Sequence, residues 1–297
     1  MSIIEEKVVF ITGASAGIGF ALATEFAKRP GYKVYAGARS VKKMDPLKDA
    51  GVHVLEFDVT KSESIIAARD RIVEENDGRL DILYNNAGIS VWNSVFDLTQ
   101  EELKYAFQVN VFGVVETIKA FQLPLLKTKG TVVFTSSVAD HIPLPFLFAY
   151  AGSKISFTSI AKALAGETGH LGIKVLVIRT GLIDSEMTNK PDEEIKYPPK
   201  DSVFYLEGKS PVFITTGKKM TPTLQYAKTV INDVEKFRKG RSYYKELYRG
   251  ESSKLAWFFG TFFSFKFILT RLYPKFTPLG NYWDLVNEKV NNILNRR

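Results

Sequence analysis

Cysteine is absent from the 297 residues, which excludes disulfides, thiolate metal sites and a cysteine nucleophile. That fits a reducing compartment, and no metal site is expected. Histidine is scarce, at His53, His141 and His170 only, so chemistry that needs a histidine base has few candidates. The stretch Met1 to Lys7 runs into a predicted strand and lacks the apolar core of a secretory signal, so the folded part is expected to face the cytosol. Internal repeats and low-complexity linkers are also missing. Residues 1–250 therefore read as one domain and 251–297 as a tail.

What is present is unevenly distributed. Residues 1–235 hold 27 Lys and Arg against 28 Asp and Glu, a net of −1, whereas residues 236–297 hold 13 against 4, a net of +9. A basic tail suits nucleic acid or an anionic membrane surface. Its aromatics favour the membrane: Trp257, Phe258, Phe259, Phe262, Phe263, Phe265 and Phe267 fall within eleven residues, too dense for spaced base-stacking platforms. No nucleic acid partner is expected. As one helix, Leu255 to Leu269 would be about 22 Å long, short of the roughly 30 Å hydrocarbon core. On a helical wheel Lys254, Gly260, Thr261, Ser264 and Arg271 share one side. The segment is expected to lie in the interface, with Lys266 snorkelling; the alternative is packing on its own domain or on a second subunit.

Runs rich in Val, Ile and Tyr alternate with amphipathic stretches. Strands are predicted at 7–12, 33–37, 53–57, 81–84, 131–136 and 174–179, and helices at 17–29, 62–76, 101–127 and 150–170. This rhythm predicts an α/β fold, a doubly wound parallel sheet of Rossmann type, with ligands at the carboxyl ends of the strands. Residues 183–220 read as one long loop, Thr221-Pro222 as the start of a helix to Lys239, and 243–248 as a further short strand.

Thr12-Gly-Ala-Ser-Ala-Gly-Ile-Gly19 follows the first strand and opens the first helix. Gly13, Gly17 and Gly19, with Ser15 and Ile18 between them, suit a tight turn that brings backbone N–H groups to a pyrophosphate. The same residues spell Gly13-Ala-Ser15-Ala-Gly17, a formal match to the nucleophile elbow of serine hydrolases, which would require an acid and then a histidine further on. After the second strand come Arg39 and Ser40, then Lys42 and Lys43, with no acid, which favours NADP over NAD. Asp58 is placed either to meet the adenine edge or to cap a helix ahead of Thr60 and Ser62. Asn86, Ala87 and Gly88 end the fourth strand; buried amides must find partners, so Asn86 and Asn110 either tie strand to helix or line the cofactor site. Tyr150 and Lys154 share a helical face, and Ser137 ends a strand. A phenol near pH ~10 needs a neighbouring cation to act as an acid or base at neutral pH.

Together, Thr12-Gly-x-x-x-Gly-Ile-Gly19, Asn85-Asn-Ala-Gly88, Asn110, Ser137 and Tyr150-x-x-x-Lys154 resemble, in order and spacing, the short-chain dehydrogenase/reductase family over residues 5–240. The resemblance implies NADPH-dependent oxidoreduction, with Tyr150 as acid/base, Lys154 lowering its pKa and holding the nicotinamide ribose, Ser137 polarising the carbonyl, and Asn110 holding a relay water. It also implies that Gly181, Ile183 and Ser185 meet the nicotinamide end, although the usual Pro-Gly is Thr180-Gly181 and the usual Thr is Ser185. The Asp-Gly-Gly signature of many tetrameric members is missing, which leaves a homodimer open. The tail, Tyr84-Asn-Asn-Ala-Gly88 and Val109-Asn-Val-Phe-Gly113 look most like fungal reductases of 1-acyl-dihydroxyacetone phosphate. Those act at the endoplasmic reticulum and lipid droplets. On this resemblance the expected substrate is an acylated ketone lipid and the product a lysophosphatidic acid, with lysines 190, 196, 200, 209, 218 and 219 available to its phosphate. A hydroxysteroid or retinol dehydrogenase, and a non-catalytic lipid-droplet protein, are the alternatives.

Overall fold

The computed structural model describes residues 6–142, 144–188, 198–209, 219–272 and 279–295. In chain order the strands are β1 Lys7–Thr12, β2 Tyr32–Ala38, β3 His53–Glu56, β4 Ile82–Asn85, β5 Thr131–Ser137, β6 Lys174–Thr180, β7 Ile183–Asp184, β8 Thr221–Pro222 and β9 Tyr244–Arg249. The helices are α1 Gly17–Ala27, α2 Asp45–Asp49, α3 Ser62–Glu74, α4 Gln100–Phe107, α5 Gly113–Ala120, α6 Gln122–Thr128, α7 Phe148–Thr168, α8 Thr223–Lys239, α9 Ser253–Phe262, the short α10 Phe265–Phe267, and α11 Leu279–Leu294. Seven strands form one sheet in the order β3-β2-β1-β4-β5-β6-β9, and every pairing is parallel.

Alternation along the strands divides the core into two layers. Val9, Ile11, Val34, Ala36 and Ile178 pack under α1 and α8 with Leu22, Phe26, Val230 and Val234. Val8, Phe10, Leu83, Phe134 and Val177 pack on the other face with Ile72, Val114, Phe157 and Ala161. The chain leaves β1 for β2 on one side and returns to β4 on the other. The crevice at this switch point is where a ligand of such a sheet sits.

The single helix predicted over 101–127 is instead three. A π turn at Gln108–Phe112 separates α4 from α5, and the axis bends by 58° before α6. At Gly113 a Cβ would lie 2.3 Å from the Val59 carbonyl oxygen, so the helix passes against the β3 loop where only glycine fits. Pro124 cannot donate to the preceding turn, which fits the bend at Phe121. Residues 183–220 are also more organised than a plain loop. β7 pairs with β8 at their stem, so Thr221-Pro222 is a strand and α8 begins one residue later. Lys190, Lys196 and Lys218 lie outside the described residues; Lys200, Lys209 and Lys219 are exposed.

The single helix expected over 255–269 is broken as well. Phe263 is extended (φ −120°, ψ 142°), and the Ser264 hydroxyl accepts from the Phe267 N–H to start a new turn. One edge of α9 packs inward: Ser253 and Ala256 are buried and Gly260 lies against His141, while Lys254 and Thr261 stay exposed. Phe258, Phe262 and Phe265 remain exposed. Further on, Tyr282 and Val286 of α11 are buried with Phe146, beside Phe204 and Trp283. Among the described residues, no single helix is long and apolar enough to cross a membrane.

Candidate active site

A cavity of about 430 Å3 opens at the carboxyl ends of β1, β2, β4, β5 and β6. Its wall includes Gly13, Ser15, Gly17, Ile18, Arg39, Asp58, Asn86, Ala87, Gly88, Ser137, Tyr150, Lys154, Gly181, Ile183 and Ser185. Of the residues singled out in the sequence, Gly19 and Asn110 stand behind the wall.

Gly13 (φ +69°) sits where a Cβ would come 2.6 Å from the Ala87 Cα, and a Cβ on Gly19 would come 2.3 Å from the Gly13 carbonyl oxygen. The turn is therefore compressed between α1 and the end of β4. Asn86 closes it. Its Nδ2 donates to the carbonyls of Thr12 (3.1 Å) and Gly13 (3.2 Å), and its Oδ1 accepts from the Thr135 hydroxyl at 3.2 Å. The Asn86 and Ala87 N–H groups both donate to Thr12 Oγ1. The Asn86 side chain is thus a tie across β1, β4 and β5, the structural alternative left open in the sequence.

The wall at the end of β2 carries Arg39, Ser40 and Lys43 with no carboxylate between them. Arg39 donates to the Tyr105 hydroxyl at 3.0 Å, which steadies it from α4. Asp58 also meets this wall, and its Oδ1 accepts from both the N–H and the hydroxyl of Thr60, at 3.0 and 2.7 Å. Burial pushes its pKa up, yet the Thr60 hydrogen bonds, Arg39 and Lys61 bring it below the ordinary aspartate value. The carboxylate both organises its loop and faces the cavity.

At the opposite end, Ser137 and Lys154 are 8% and 4% exposed. Burial holds the Tyr150 phenol above its usual pKa, a hydrogen bond with Ser137 pulls it down, and the Asp140 carboxylate pushes it up again. Lys154 is lowered to about 8, by burial against the opposing pull of Asp140. Its ammonium donates to the Thr135 carbonyl at 2.8 Å and stands 5.8 Å from the Tyr150 ring centroid. The downward pull on the phenol here comes from Ser137, with Lys154 directed at Thr135.

The Asn110 amide is committed elsewhere. Oδ1 accepts from the Ile89 N–H, and Nδ2 donates to the Ile89 carbonyl and to Ser153 Oγ, each at 2.9 Å. The side chain clamps the β4 loop to α7 with both of its N–H groups engaged.

Thr180 and Gly181, where a Pro-Gly pair was the family expectation, fit their surroundings. The Thr180 hydroxyl pairs with the Tyr226 hydroxyl at 2.6 Å, and a Cβ on Gly181 would collide with the Glu251 carbonyl oxygen at 2.1 Å. Ser185 is held by Thr188, whose hydroxyl accepts from the Ser185 N–H at 3.1 Å. Thr188, Thr135 and Tyr105 were missed in the sequence. The Ser-x-x-Thr spacing offered a signal for Thr188; the other two depend on long-range packing. Ser15 faces the same cavity, while His141 pairs with Thr261 and His53 stacks on Tyr35, so neither of these histidines is engaged with Ser15.

Residues 7–196 match the short chain dehydrogenase family, which covers more than half of the sequence. The chain belongs to that family. It is 35% identical over 221 residues to the NADPH-dependent 1-acyldihydroxyacetone phosphate reductase of Schizosaccharomyces pombe, covering 71% of this chain and 74% of that one. It is 30% identical over 297 residues to the Saccharomyces cerevisiae protein of the same name, covering 97% of this chain and 94% of that one. Among solved structures it resembles an alcohol dehydrogenase from Thermococcus sibiricus complexed with 5-hydroxy-NADP, with a TM-score of 0.65, 27% identity and coverage of 82% and 96%. The chain is accordingly an oxidoreductase, and the hydrolase reading of Gly13-Ala-Ser-Ala-Gly17 is set aside.

Proposed function

We propose that this chain is an NADPH-dependent reductase of a lipid ketone, converting 1-acyl-dihydroxyacetone phosphate to 1-acyl-glycerol 3-phosphate. The observation that carries the reading is one crevice with Arg39 and Lys43 at one end and Ser137, Tyr150 and Lys154 at the other. The residues fit the dinucleotide: the glycine turn leaves room for a pyrophosphate, and Arg39, Ser40 and Lys43 at the end of β2 accept a further phosphate. NADPH, when bound, supplies the hydride. The Ser137 hydroxyl donates to the carbonyl oxygen, and Tyr150 gives that oxygen its proton. Lys154, charged below pH of about 8 and buried beside the ring, stabilises the phenolate left behind.

The substrate assignment draws on the two fungal relatives, one of which aligns with the tail as well as the core. The exposed rings of Phe258, Phe262 and Phe265, in a segment of net positive charge, suit contact with an anionic lipid surface. The same reading puts the enzyme on the cytosolic face of the endoplasmic reticulum and on lipid droplets. Lys200, Lys209 and Lys219 are the described cations of the 183–220 segment available to a substrate phosphate.

The test is NADPH oxidation by purified protein with the acylated ketone phosphate and, in parallel, an uncharged sterol ketone. Faster turnover of the phosphate ester is expected; turnover of the sterol alone would overturn the substrate assignment. Replacing Phe258, Phe262 and Phe265 by Ser should abolish flotation with anionic vesicles, and unchanged flotation would overturn the lipid contact.

A further inference from the structure

The catalytic serine ends β5 and is followed at once by a tight turn, Val138–Asp140, and by His141. The Ala139 N–H donates to Ser137 Oγ at 3.2 Å, and the His141 and Ile142 N–H groups both reach the Val138 carbonyl, at 3.0 and 3.1 Å. The place of the Ser137 hydroxyl thus depends on the shape of this turn.

Two supports hold the turn from different parts of the chain. One is Asp140, whose side chain is fully buried. Its carboxylate accepts from Ser136 Oγ at 2.9 Å, from Arg179 Nε at 2.7 Å and from the Thr158 hydroxyl. The other support comes from beyond the seventh strand. Helix α9 lies on His141 so closely that a Cβ on Gly260 would come 2.5 Å from His141 Cδ2 and 2.7 Å from the His141 carbonyl oxygen. Thr261 Oγ1 pairs with His141 Nε2 at 3.2 Å, and the Tyr248 ring meets the imidazole edge-on at 5.7 Å. The two supports are joined: Arg179 donates to the Tyr248 hydroxyl at 2.9 Å, and the Tyr248 ring faces Trp257 of α9 at 6.4 Å.

We propose that α9 is a positioning element for the catalytic serine: seated on His141 through Gly260, it completes the clamp that fixes the 138–141 turn and so the Ser137 hydroxyl. The proposal rests on Ser137 acting on the substrate carbonyl, and on no particular ketone. It gives the aromatic segment a task inside the active site beyond the surface it exposes. It also explains the glycine at 260, where a Cβ would collide with His141.

The experiment compares the full-length wild type with Gly260→Val, which cannot seat, and with Leu255→Ser, at an exposed position of α9. Expected for Gly260→Val is hydrogen exchange about tenfold faster at the amides of Ala139, His141 and Ile142, with amides 13–19 unchanged. Its kcat should fall about tenfold to a hundredfold, with the dissociation constant of NADPH unchanged. Leu255→Ser should match wild type in all of these. His141→Ala is the second variant should valine prevent folding, with His141→Gln, which keeps a partner for Thr261, expected to restore most of kcat. Unchanged exchange at 139–142, or faster exchange with undiminished kcat, would overturn the proposal. A wild type that reduces no ketone would instead count against the functional reading, with the exchange data still deciding whether α9 holds the turn.

Discussion

At the nucleotide end of the crevice, Asn86 commits its amide to three strands and Gly13 and Gly19 leave no room for a methyl group. Around the C-terminal helix the contacts are of another kind: Phe146 stacks on Trp283 at 5.6 Å and meets Phe204 edge-on at 5.5 Å. There, Lys289 of α11 donates to the carbonyls of Ser202 and Tyr205, at 2.7 and 2.9 Å, holding a segment outside the sheet. Backbone geometry defines the nucleotide end, whereas side-chain packing seats the C-terminal helix. One cofactor shape needs a fixed cradle, whereas aromatic packing can be altered without disturbing the sheet.

If the division is real, each region can be damaged separately. The largest effect short of removing the phenol is expected from Lys154→Met, which should lower kcat/KM by about 10²–10⁴-fold by taking the buried cation from beside Tyr150. Stopped-flow turnover measures it. Next comes Arg39→Ala, which should raise the dissociation constant of NADPH by about 10–100-fold, the worth of a charged hydrogen bond of ~1.5–3 kcal/mol. Binding of NADH should be unchanged, so fluorescence titrations with the two cofactors should converge.

A smaller effect follows from pH. Burial lowers Lys154 to about 8. Since the cation is the form that stabilises phenolate, kcat/KM for reduction should be fully developed below that value and decline as pH rises through it. Lys154→Arg should remove this limb. The smallest effect belongs to Lys289→Met, expected to cost about 1.5 kcal/mol of stability in thermal unfolding while leaving NADPH binding untouched. Equal losses in both regions would break the comparison.

Much of the nucleotide end was legible in the sequence, because its signals are local. The 7–12 strand, the glycine turn and the helix after it are contiguous, and alternation fixed the strands nearly to their observed ends. Arg39 could be read by its position after β2, but Tyr105, which steadies it, lies 66 residues away. The π turn at Gln108–Phe112 escaped because the close pass of Gly113 by Val59 is a tertiary event. The C-terminal region was less legible for the same reason. A helical wheel cannot show that Gly260 belongs to His141. The break at Phe263 did carry a local signal, since Ser264 is a capping residue, and the density of phenylalanines around it concealed that.

The account turns on Tyr150 as the proton donor in a crevice that binds NADPH whether or not chemistry follows. The most direct measurement is therefore Tyr150→Phe, with NADPH affinity and ketone turnover determined on the same preparation. The account predicts an unchanged dissociation constant and turnover reduced by at least about 10²-fold. Retained turnover, with binding intact, would contradict it.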